Sequence, residues 1–113
     1  MSRHMQIDIR LIPFYEKPFI KVFSRIAKLL QKHEYLSPLE QDMSLYELVD
    51  IFVDMMHAPS ITTEEKERIS PFVSRLEYLK ETAREELLSR RLNELDKTLY
   101  RIEDEFEKLE KSL

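Results

Sequence analysis

Glycine is missing from all 113 residues of this chain, and cysteine and tryptophan are missing with it. Phosphate-binding loops of the G-x-x-x-x-G-K-[ST] type and dinucleotide fingerprints need glycine so that backbone amides can close on a ligand, and both are therefore excluded. The lack of cysteine removes disulfides, thiolate zinc sites and cysteine nucleophiles together, and there is no G-x-S-x-G serine elbow. Tight β-hairpins want positive φ at their central residues, so a glycine-free chain whose single asparagine is Asn93 is poorly suited to them. Helices joined by Pro, Ser and Asp remain.

Long hydrophobic runs are also lacking: no stretch approaches the roughly 20 apolar residues of a membrane span. No compact apolar block followed by small residues opens the chain, so the expected location is cytoplasmic, without a membrane partner. Met1–His4 ends in a His-Met pair and is left aside, with Met5 taken as the natural start. Apolar residues make up 42%, enough for a modest single core over 1–113, and charged residues make up 35%. That charge content, with one Asn and no Cys, also fits a protein from a hot environment.

Alternation appears once, where Ile7, Ile9 and Leu11 interleave with Asp8 and Arg10. A lone strand has no partner in its own chain, so residues 1–16 are expected to form an extended arm laid on the rest. The short helices fall in 17–69. The first is expected from Lys17 to about Leu36, with Pro18 in its first turn. The second opens at the capping-box signal Ser44-x-x-Glu47 and runs to about His57, burying Leu45, Leu48, Val49, Phe52 and Met56. Thr62-x-x-Glu65 is a further capping box, and Ser70-Pro71 offers another start signal. A short turn of helix from Glu64, a kink at Pro71 and a long helix over 71–113 follow from these signals.

The long segment carries two apolar registers. Phe72, Leu76, Leu79 and Ala83 form one; Leu88, Leu92, Leu95, Leu99, Ile102, Phe106, Leu109 and Leu113 form the other, at spacings of 4, 3, 4, 3, 4, 3 and 4. The second is a heptad seam, which asks for another helix to cover it. Residues 83–92 contain no Gly, Pro, Asn or Asp, which argues for a continuous helix rather than a turn near Leu88. With Leu88 at d, the e positions are Ser89, Asp96, Glu103 and Glu110 and the g positions Arg91, Thr98 and Glu105. A parallel homodimer would set Glu105 against Glu110, so an antiparallel copy, a basic helix, or packing within the monomer suits the seam better.

Charge is unevenly placed. Residues 1–36 carry seven Lys and Arg against three acids, whereas 37–68 carry two against eight. Lys17, Lys21, Arg25, Lys28 and Lys32 share one side of the first helix and form a candidate polyanion-binding row. With a net charge of −4 and no interleaved exposed aromatics, nucleic acid is not the favoured partner. On the second helix Glu47, Asp50, Asp54 and His57 recur at 3, 4 and 3, a spacing that can present carboxylates and an imidazole to a divalent ion. The Glu47-x-x-Asp50 fragment resembles the second half of the motif of the all-α nucleotide pyrophosphatases, which implies magnesium held by carboxylates on facing helices around a triphosphate. That family also carries paired acids on an upstream helix, where this chain has lysines until Glu34.

The expectation is an all-α bundle of three to four helices with an extended N-terminal arm and a long C-terminal heptad helix. Its expected role is a non-enzymatic, cofactor-free interaction or oligomerisation module. Leu88, Leu92, Leu95, Leu99, Ile102, Phe106 and Leu109 would form the interface to a second copy or another helical protein. The alternatives are a nucleic-acid-associated accessory protein using the lysine row and a metal-dependent hydrolase using the helix-two acids.

Overall fold

Two amphipathic segments of unequal register cannot share one straight helix and bury both stripes against a single partner, and in the structure they form two helices. The computed structural model describes residues 11, 15, 17–40 and 43–113. Its order is α1 (Phe19–Val22), α2 (Ser24–Lys32), α3 (Ser37–Glu40), α4 (Leu45–Met55), α5 (Thr63–Leu88) and α6 (Leu92–Ser112). The protein is an all-helical bundle, with no strand among the described residues. The alternating segment 6–13 lies outside them except for Leu11. Of the expected arm, Leu11 and Tyr15 pack half-buried against the core, and the Tyr15 hydroxyl donates to the Met43 carbonyl.

The continuous helix over 71–113 is overturned: residues 89–91 are a turn, and α6 folds back along α5. The stop is a Schellman motif. The Arg91 amide donates to the Glu86 carbonyl at 2.9 Å and the Arg90 amide to the Leu87 carbonyl at 3.1 Å. Arg90 takes the left-handed conformation, φ 57°, that such a cap reserves for glycine. The first helix ends the same way, at Lys32 rather than at Leu36: Tyr35 donates to Leu30 at 2.8 Å, Glu34 to Gln31 at 3.1 Å, and Glu34 has φ 64°. A left-handed residue bearing a Cβ costs about 1–2 kcal/mol, part of which glycine returns as lost chain entropy. Arg90→Gly is therefore expected to stabilise the fold by about 0.5–1 kcal/mol, whereas Arg90→Ala, which keeps the Cβ, should not; urea midpoints for the two variants check this.

The first helix is further split at Phe23 (φ −120°, ψ 58°). The bend lets Phe19 and Phe23 both enter the core, with their rings 5.4 Å apart. α4 and α5 start where their caps say. The Ser44 side chain accepts from the Glu47 amide, and Thr62 and Glu65 form the full reciprocal box. α5 runs through Pro71 as one helix from Thr63, replacing the expected short turn and second start. Pro71 is exposed, so the Glu67 carbonyl it leaves unpaired has access to solvent.

α5 and α6 form an antiparallel hairpin, α4 packs on both, and α2 packs on α6. Phe106 is fully buried where these meet, with its ring 5.9 Å from Phe52 and 6.5 Å from Phe23. At about 1.5 Å per residue α5 alone spans about 39 Å, in a molecule measuring 52 × 26 × 26 Å.

Candidate functional site

The turn at 89–91 divides the heptad seam into two fates. Leu95, Ile102, Phe106 and Leu109 are buried in the chain's own core, and Leu99 is half-buried against it. Leu88 and Leu92 flank the turn and remain 69% and 52% exposed. They form an apolar pair at the hairpin tip, beside the exposed Arg90 and Arg91. The tip backbone is held from within: the Ser89 hydroxyl donates to the Glu85 carbonyl at 2.6 Å and receives Arg91 Nε at 3.0 Å. Neither bond consumes the leucines.

The five cations of the lysine row are all exposed, yet they are not equivalent. Lys32 Nζ lies 3.0 Å from Glu65 Oε2, and Arg25 Nη1 donates to the Lys111 carbonyl at 3.3 Å. Lys17, Lys21 and Lys28 have no anionic partner among the described residues. The acids of α4 are dispersed. Asp50 pairs with Lys80 at 2.5 Å, with that ammonium 4.4 Å from the Tyr46 ring centre, and Asp54 accepts from the Tyr35 hydroxyl at 2.7 Å. Glu47 and His57 are exposed. Among the described residues no three His, Asp or Glu side chains converge in a way that could hold a metal ion, so the periodic set on this helix does not become a ligand cage.

Three polar clusters form instead around the buried side chains of Glu86 and Thr98, Glu105, and His33, and none of them stands out in the sequence. The Thr98 hydroxyl donates to Glu86 Oε1 at 2.5 Å across the hairpin. Arg75 Nε donates to Glu105 Oε2 at 2.9 Å, beside an open cleft of about 420 Å³ between α5 and α6 that Tyr78, Leu79, Arg101 and Lys108 help to line. The third cluster surrounds His33, whose side chain is only 1% exposed. Its Nδ1 is 2.7 Å from the Ser60 hydroxyl and its Nε2 is 3.2 Å from Glu65 Oε2. The Thr62 backbone amide of the capping box, followed by Lys32 and His33, holds the Glu65 carboxyl down at about 2, against partial desolvation. Ser60 and Glu65 lie 27 and 32 residues from His33 in the chain. Only the capping box around Glu65 announces any part of this cluster in advance.

Along the exposed side of α6, Asp96, Glu103 and Glu107 have no cationic partner among the described residues. The pKa of Glu103 is raised by desolvation and, after that, by the like charges of Glu107, Asp104 and Asp96. No family model, no curated protein and no solved structure matches this chain.

Proposed function

We propose that this protein is a helical interaction module that engages a second helical surface through the tip of the α5–α6 hairpin. The observation that carries the reading is the exposure of Leu88 and Leu92 on either side of a turn that the Schellman bonds close at the end of α5. A rigid tip presents its leucines with little ordering cost on binding, and two adjacent large apolar side chains regain about 1.5–3 kcal/mol each when covered. The acidic row Asp96, Glu103 and Glu107, which starts near the tip and runs along the exposed side of α6 away from it, favours a partner surface carrying lysine or arginine. A second copy qualifies, because Lys17, Lys21 and Lys28 are exposed on the same chain.

Light scattering at micromolar concentration, at low and at moderate salt, tests the self-association form. The expected result is a mass above 13.7 kDa that the double substitution Leu88→Lys, Leu92→Lys returns to the monomer with little loss of thermal stability. A monomer under both conditions removes self-association and leaves only a different helical protein as partner. Polyanion binding is the second reading, supported by the same three lysines, which have no anionic partner among the described residues. Arg25 and Lys32 are engaged elsewhere, so among the described residues the row offers three cations without a partner rather than five.

A further inference from the structure

We propose that Ser60 is an activated nucleophile toward small activated esters, with His33 as its general base and Glu65 as the positioning residue that orients the imidazole. The direction of the hydrogen bonds follows from valence. An ionised Glu65 carboxylate can only accept, so the His33 Nε2 at 3.2 Å carries the hydrogen of that contact. In the neutral ring Nδ1 then holds the lone pair, and at 2.7 Å the Ser60 hydroxyl is its donor. The serine proton already points at a base, which is the geometry general-base catalysis requires. Fold and accessibility divide as such a site needs: the imidazole is buried and fixed, while Ser60 is exposed.

The chemistry balances without a cofactor. Ser60 Oγ attacks the ester carbonyl carbon as its proton passes to His33 Nδ1, and the carbonyl π pair moves onto oxygen. Collapse of the tetrahedral adduct expels the alkoxide or phenoxide, which takes the proton from Nδ1 and leaves an acyl-serine. Water then repeats the sequence, giving its proton to Nδ1, releasing the acid and restoring Ser60. The amides of Ser60 itself and of Thr63 and Glu64, on the first turn of α5, have no acceptor among the described residues, and that of Ser60 is the nearest donor in sequence for the oxyanion. Ser60 is exposed and does not line the cleft between α5 and α6, so the substrates it suits are small, with little to bind beyond the reacting group.

A fluorophosphonate probe followed by intact-mass and peptide-mapping spectrometry tests this, since phosphonylation forms the Oγ–P bond and expels fluoride by the same base-assisted step. One adduct per chain on Ser60 is expected, absent in Ser60→Ala. The labelling rate should rise with pH through a single ionisation in the wild type. That pH profile should be lost in His33→Gln, with the rate at neutral pH lower by about 100-fold or more. Circular dichroism checks that His33→Gln still folds; if it does not, Glu65→Gln, which keeps an acceptor facing Nε2, takes its place and should slow labelling while retaining the ionisation. Adducts spread over other side chains, an equal yield in Ser60→Ala, or an unchanged rate in the folded His33 or Glu65 variant would overturn the proposal.

Discussion

Phe106→Ala is expected to cost about 3–5 kcal/mol of folding free energy, the largest effect of any single truncation in this chain. Phe106 is fully buried, and its ring is within aromatic contact distance of Phe52 on α4 and Phe23 at the break between α1 and α2. Losing it empties the point where four helices meet, and the neighbouring rings are too stiff to fill the space. A domain of this size holds only about 5–15 kcal/mol in total, so urea unfolding should shift to much lower midpoints or disappear into a sloping baseline. Tyr100→Ala supplies the contrast on the same helix. Tyr100 is 61% exposed and should change stability by no more than about 0.5 kcal/mol. The Phe106 loss should also be independent of protein concentration. Had the seam been an intermolecular one, stability would rise with concentration through mass action, whereas packing within the hairpin makes it a property of the monomer.

The fate of that seam marks what could be read from residues and what could not. The caps at Ser44 and Thr62 were legible because they are local, a side chain satisfying an amide three residues away. Leu48, Val49 and Phe52 were legible as core because helical periodicity sets their face. The turn at 89–91 was not, because a Schellman motif is specified by one positive φ, and the residue that adopts it here is an arginine. The spacing of four between Leu88 and Leu92 even imitates a continued helix. The one signal was the offset between the Ala83 and Leu88 registers, which a fold-back explains without strain and a straight helix explains only with two partners. The His33 cluster was hidden for another reason. Its members come from the C-terminal cap of α2, the loop before α5 and the first turn of α5, and no sequence spacing links them.

Glu110 shows the same non-local logic, and Glu110→Ala is expected to destabilise the fold by about 2 kcal/mol. The heptad pattern places Glu110 as a flanking charge beside the seam. In the structure its carboxylate is the N-terminal cap of α2, accepting from the Arg25 amide at 2.5 and 3.1 Å and from the Ile26 amide at 3.3 Å. Phe23, which precedes α2, has no side-chain acceptor to offer. The helix that starts at the bend therefore depends on the last turn of α6 to satisfy its first amides. A missing cap costs about 0.5–2 kcal/mol, and hydrogen bonds to a charged group lie at or above the upper part of that range. The negative charge also meets the positive end of the helix dipole. Glu110→Gln keeps an acceptor without the charge and should lose about half as much. Arg25→Ala removes only the 3.3 Å side-chain contact and leaves the capped amide intact, so it should lose little. Glu107→Ala, exposed and unpaired among the described residues, should be nearly silent. Urea midpoints of the four variants separate a capping carboxylate from a surface ion pair: the amide belongs to the backbone, so only changes at Glu110 can remove the contact. Equal losses for Arg25→Ala and Glu110→Ala would show that the side-chain charges carry it instead.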